Sequence, residues 1–308
     1  MKFLLPALVI ILFLSLPAAF SQQKIASESK RDKEKRAQTD PWAEFEDEVD
    51  SIHRWDFGLN FGAYFPNNYS ANFYNGMPGN VNNVDYVLSN PWWYQEIKET
   101  LGATDTFFVT GYSTGMRYQV AFTGGLFLRF NFNRKNGIFL EANYTQLKTS
   151  GPVTLEVDPA SYPTYEDLRT EGVAGKEARV LIDLGYQRSF PLLSKIYFFL
   201  QAGALMSYSR VLQSVLVIEG REYNLVNVYG SQGYIPNTNS QSFNITQQAF
   251  GFGPYLGLGA GIPLNDLFGV EPGCSFQYYP VNLEGYSNWK PSWSIYLRIL
   301  LGAGHAKN

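Results

Sequence analysis

From Trp55 onward, apolar and polar residues alternate with period two, the side-chain period of a β-strand. Trp55, Phe57, Leu59, Phe61, Ala63 and Phe65 share one face, with Asp56, Gly58, Asn60, Gly62 and Tyr64 opposite. In the stretch 116–144, Tyr118, Val120, Phe122, Leu126, Leu128 and Phe130 form an apolar row, while Arg117, Gln119, Thr123, Arg129 and Asn131 form a polar one. A turn at 133–136 leads to Ile138, Leu140, Ala142 and Tyr144 set against Glu141, Asn143 and Thr145. The same alternation recurs at 179–187, 196–209, 250–262, 270–278 and 293–301. It places Arg179, Asp183, Glu271 and Arg298 on the polar faces.

These runs predict an all-β fold of eight antiparallel strands. Links after the second, fourth and sixth strands are short, whereas those after the first, third, fifth and seventh are long. Such spacing is that of an up-and-down transmembrane β-barrel over 55–304, with short turns and both termini on one side and long loops on the other. In a barrel surrounded by lipid the apolar face points out and the polar face points in. Arg117, Arg129, Glu141, Arg179, Asp183, Glu271 and Arg298 are therefore expected in the lumen, paired with opposite charges as a structural plug.

The N-terminal segment follows other rules. Lys2 precedes an apolar run from Phe3 to Leu16 and small residues around Ala19, which reads as a signal peptide over 1–21. No later run is long and apolar enough for a helical span, so membrane crossing falls to strands. Residues 22–54 form a polar arm followed by a short amphipathic helix. Asp40 is its N-cap, Pro41 its first residue, and Trp42, Phe45, Val49 and Ile52 its apolar face. That face either folds back on the barrel or docks a partner. Residues 305–308 form a tail on the same side.

Two loops carry further pattern. In NPWWYQEIKETLG, Asn90 caps, Pro91 opens and Gly102 ends a helix carrying Trp92, Trp93, Ile97 and Leu101, with Trp93, Ile97 and Leu101 on one face. It reads either as a lid on the barrel mouth or as a binding surface. SVLVIEGREYNLVNVYG reads as a hairpin around Glu219-Gly220-Arg221 that extends its strands beyond the membrane, keeping the spanning strands at eight rather than ten.

Composition narrows the chemistry. Aromatics make up 16% of the 308 residues, the net charge is −3, and nothing signals nucleic-acid binding. The single cysteine, Cys274, lies on the lipid face, so neither a disulfide nor a cysteine-cluster metal site is expected, and no cofactor is implied. The two histidines, His53 and His305, lie outside the strands, which leaves the outer rim without a histidine base.

From Trp55 to Gly304 the pattern resembles small outer-membrane barrels of the OmpA/OmpX type, and the glycine- and aromatic-rich strands resemble the porin-like barrels of Bacteroidota. The resemblance implies an integral outer-membrane protein in contact with outer-membrane lipid, with both termini periplasmic. It also draws attention to Asp50-Ser51-Ile52, which matches a short pattern glycosylated in Bacteroidota periplasmic proteins, making Ser51 a candidate modification site. The expected role is a non-enzymatic structural or accessory subunit of an outer-membrane complex, with protein partners in the outer membrane or periplasm. The alternatives are a narrow pore for small or hydrophobic solutes and, more weakly, an enzyme using the lumen carboxylates Glu141 and Asp183.

Overall fold

The computed structural model describes residues 54–80, 82–158, 166–193, 196–225, 247–265 and 267–301. The expected signal peptide, the helix bearing Trp42, Phe45, Val49 and Ile52, Ser51 and the 305–308 tail lie outside the described residues.

The strands are β1 (Trp55–Phe65), β2 (Phe107–Tyr112), β3 (Ala121–Asn133), β4 (Asn136–Val157), β5 (Asp167–Leu193), β6 (Ile196–Ile218), β7 (Arg221–Asn224), β8 (Gln248–Pro263), β9 (Phe268–Tyr279) and β10 (Lys290–Leu301). Between β1 and β2 come a 3-10 turn (Ser70–Tyr74) and helices α1 (Asp85–Leu88) and α2 (Pro91–Leu101). Eight of the strands form a closed antiparallel ring in the order β1, β3, β4, β5, β6, β8, β9, β10. Closure comes from β1 against β10, with Leu59 opposite Ile299 and Asn60 opposite Arg298. A closed ring leaves no unpaired backbone edge, the condition for β-structure in lipid.

The strands differ greatly in length. β1 has 11 residues and β10 has 12, enough for one crossing. β4, β5 and β6 have 22, 27 and 23 and run on past the ring at its long-loop end. There β2 adds to β4 and β7 to β6, giving a five-stranded sheet in the order β2, β4, β5, β6, β7. The β6–β7 hairpin is the one expected around Glu219-Gly220: φ is 46° at Glu219 and 79° at Gly220, the left-handed pair that a two-residue primed turn requires.

Two of the register slips along these strands bear on the sequence reading. On β6 the partner of Lys176 is Gln213 and that of Glu177 is Val211, so Leu212 is an inserted bulge residue. The parity of buried positions flips there, from Ser207, Ser209 and Val211 to Ser214, Leu216 and Ile218. This explains why apolar residues near the hairpin fall on both faces in the sequence.

The second slip corrects the reading of 116–121. Ordered pairing of β3 starts only at Ala121, and the segment before it is held by the single bridge Tyr118 to Thr149. Tyr118 is buried and Arg117 and Gln119 are exposed, the reverse of the alternation assumed from the sequence. Arg117 is therefore not in the lumen.

Candidate functional site: a filled lumen beneath a clamped lid

The outer wall of the ring is a band of exposed apolar side chains, including Phe122 (70% exposed), Leu126, Leu184, Leu256, Ile295 and Phe57. Aromatic pairs mark both of its margins. Trp55 with Phe130, Phe130 with Phe132, and Phe190 with Phe198 lie toward the short-turn end. Tyr208 with Phe250, Phe276 with Trp293, and Tyr278 with Trp289 lie toward the long-loop end. Two aromatic girdles around an apolar belt are the signature of a barrel standing in a bilayer, where ring dipoles and hydroxyls favour the interfaces.

Inside, charge is concentrated and paired. Alternation on β10, β9, β4, β3 and β1 aims Arg298, Glu271, Glu141, Arg129 and Asp56 at one level of the lumen. Arg298 is the hub. Its guanidinium donates to Glu141 Oε2 at 2.6 Å, to Glu271 Oε2 at 2.7 Å and to Asn60 Oδ1 at 2.9 Å, and lies 3.4 Å from the centre of the Phe127 ring. Arg129 bridges Glu271 Oε1 at 2.8 Å and Asp56 Oδ2 at 2.7 Å. Tyr197 adds a hydroxyl to Glu271 at 2.6 Å. Its ring is admitted by the absence of a side chain at Gly261, where a Cβ would sit 2.0 Å from Tyr197 Cζ. Buried charges paired and hydrogen-bonded in this way avoid the full cost of desolvation.

Asp183 stands apart. It lies directly across from Glu141, is fully buried, and neither of its carboxylate oxygens has a hydrogen-bond partner among the described residues. Gln201, Gln187, Tyr255 and Phe139 fill the same part of the lumen, all at 2% exposure or less.

Nearer the long-loop end a second cluster centres on Glu177 and Arg179, two residues apart on β5 and both fully buried. Arg179 Nε donates to Glu177 Oε1 at 2.5 Å. Glu177 Oε2 accepts the hydroxyls of Tyr118 at 2.7 Å and Tyr74 at 3.1 Å, and Arg179 reaches Ser70 Oγ at 3.1 Å. Tyr64 and Tyr279 share a hydroxyl hydrogen bond of 2.7 Å across the lumen beside it. Ser70 and Tyr74 belong to the 3-10 turn, so this ion pair clamps the first loop onto the barrel mouth.

The rest of that loop is the lid. In α2, Ile97 and Leu101 are buried and Trp93 packs edge-on against Tyr223 of β7, placing the three on one face as the spacing indicated. The Asn90 side chain caps the helix through the Trp93 amide at 3.4 Å, and Gly102 follows with a φ of 64°. Arg221 and Tyr223 of β7 both donate to Glu96. At the other margin Asp158 accepts the amides of Thr104 (2.7 Å), Asp105 (2.7 Å) and Thr106 (3.1 Å) together with the Thr104 hydroxyl. These bonds, the Thr104 amide foremost, pull its carboxyl from the ordinary 3.8 down to about 2.

Of the residues expected in the lumen, the structure brings Arg129, Glu141, Glu271 and Arg298 into one network, puts Arg179 in the second, and leaves Asp183 beside the first. The expected set lacked Asp56, Glu177 and the clamp tyrosines. Parity already put Asp56 on the polar face of β1, and the same rule carried two residues along β5 from Arg179 finds Glu177. The loop residues Tyr74 and Tyr118 carry no such signal.

Apolar outside, charged inside and closed on itself, the molecule is a small barrel with the polarity of one built for lipid. No family model matches the chain, and no curated protein matches it. Among solved structures, Neisserial surface protein A is 9% identical over 80% of this chain and 96% of its own, with a TM-score of 0.36. The N-terminal β-barrel domain of Pseudomonas aeruginosa OprF is 10% identical over 80% and 96%, with a TM-score of 0.32. Ail of Yersinia pestis, solved with the heparin analogue sucrose octasulfate, is 9% identical over 80% and 97%, with a TM-score of 0.31. Ring closure here rests on the strand pairings rather than on these likenesses.

Proposed function

We propose that the protein is an integral outer-membrane barrel that neither conducts nor catalyses. Its barrel anchors the lid and five-stranded sheet outside the cell, as a structural or accessory subunit of an outer-membrane complex, with the short turns and both termini in the periplasm. One observation carries the reading: the lumen charges are inaccessible beneath a clamped lid and, Asp183 apart, are bonded to one another. A water-filled pore exposes its lining, whereas Arg179, Arg298, Glu271 and Asp183 are 0% exposed. Both oxygens of Glu141 are also engaged, by Arg298 and Asn143, which counts against a lumen-carboxylate enzyme. What supports the subunit role is surface: among the described residues, the sheet beyond the ring has no strand paired to the outer edge of β2, and its outer face bears Phe108 and Leu168.

The test is mild-detergent purification of the full mature chain from native outer membranes, followed by planar-bilayer recording of the same material. Stoichiometric co-purifying protein and a silent bilayer are the expected results. Isolation of the chain alone would refute the subunit role, and steady single-channel current would refute the plugged barrel in favour of the pore.

A further inference from the structure

The outer wall changes character within two rows at the long-loop margin. Strand pairing lines up Tyr144, Val180, Tyr208 and Phe250 across β4, β5, β6 and β8. The next row outward is Gln146, Ala178, Arg210 and Gln248, and the one beyond it sets Lys148 directly against Lys176. Arg117 lies alongside, because Thr149 Oγ1 donates to its carbonyl at 2.9 Å while the neighbouring Gln119 amide donates to that of Lys148 at 2.9 Å. Lys148, Arg210 and Arg117 are exposed, Lys176 is partly so, and none of the four has an ion-pair partner among the described residues.

Like charges facing each other across paired strands repel, so the protein alone gains nothing from this arrangement. An acid on the same side, Glu222, is occupied by Gln213 Nε2 at 2.8 Å. Small residues frame the lysines: Ala178 on one side, and Ser150 paired with Ala174 on the other. The result is a basic shelf among the described residues, at the margin where the apolar rows of the outer wall end.

We infer that Arg117, Lys148, Lys176 and Arg210 bind the phosphorylated headgroup of an anionic outer-leaflet lipid, whose acyl chains lie along the apolar rows beneath. The inference rests on the proposed placement of the long-loop end outside the cell. Phosphate oxygens accept several charge-assisted hydrogen bonds at once, which neighbouring cations on one face of these strands supply. A free phosphate ion would use the shelf but leave the adjoining apolar rows without a role.

The experiment is native mass spectrometry of the full mature chain folded in neutral detergent, with bisphosphorylated lipid A as the probe and its dephosphorylated form as comparison. The wild type is expected to hold the phosphorylated probe roughly tenfold or more tightly than the double variant Lys148→Gln/Lys176→Gln. Arg188→Gln, which removes an exposed charge at the opposite margin, is expected to bind like the wild type. Heat-modifiable gel mobility checks that each variant is folded. Equal binding by the double variant, an equal loss in Arg188→Gln, equal retention of the dephosphorylated probe, or displacement by inorganic phosphate at matched concentration would each overturn the site. Vesicle flotation separates failure of the site from failure of the membrane reading. A chain that inserts but ignores lipid A overturns this site alone, and one that fails to insert overturns the membrane reading beneath it.

Discussion

Arg298 shows how much of this barrel turns on single side chains. It serves two carboxylates, Glu141 and Glu271, in a place water does not reach. Arg298→Gln leaves Glu141 without its cation and Glu271 with Arg129 alone, and breaking a buried pair from one side costs about 3–5 kcal/mol. Urea unfolding in detergent micelles, followed by tryptophan fluorescence, should show a loss of that size, and a change within experimental error would mean that the network relaxes around the gap. Asp158 makes a prediction at the same scale. Its carboxyl is held near 2 against an ordinary 3.8, so its contribution to the lid is complete above about 4 and disappears as the pH falls through about 2. The amide resonances of Thr104, Asp105 and Thr106 should titrate with a midpoint near 2, whereas a midpoint near 4 would mean the carboxylate is not collecting those bonds. Parity made most lumen charges legible in the sequence, because a strand offers only two faces. It misplaced Arg117, where the isolated bridge Tyr118 to Thr149 is one residue out of register with the pairing of β3 and β4.

At the scale of elements, the lid depends on shape as much as on charge. A Cβ at Gly175 would lie 2.2 Å from Cγ of Tyr74, so the β5 backbone is the floor on which that ring rests. Gly175→Ala should lift the 3-10 turn, pull the Tyr74 hydroxyl from Glu177 and open the loop to protease while the ring of strands persists. Limited proteolysis read beside heat-modifiable mobility checks this, and a loop as resistant as in the wild type would show that the clamp does not depend on Tyr74. Helix α2 was legible because Asn90, Pro91 and Gly102 punctuate it and Trp93, Ile97 and Leu101 keep helical spacing. The 3-10 turn, α1 and β2 were not, since four to six residues leave no period to read. The Leu212 bulge was visible only as its symptom, apolar residues on both sides of the hairpin.

For the whole molecule, period-two alternation with acids and arginines on one face decides between a soluble sandwich and a barrel in lipid, since only lipid puts the charged face inside. The long-range partners were beyond that reasoning: nothing in the local pattern says that Arg298 of the last strand meets Glu141 of the third ring strand, or that Glu177 receives hydroxyls from two parts of one loop. Such contacts follow from the stagger of the closed ring. The pairing of β1 with β10 is also what removes the ring's last two edges. Without it the first and last strands would each lack a neighbour on one side, and the sheet would carry two raw edges that a bilayer core would punish. The hub arginine rides on that same closing strand, so the pairing that shuts the wall also brings Glu141 its cation and Glu271 its second.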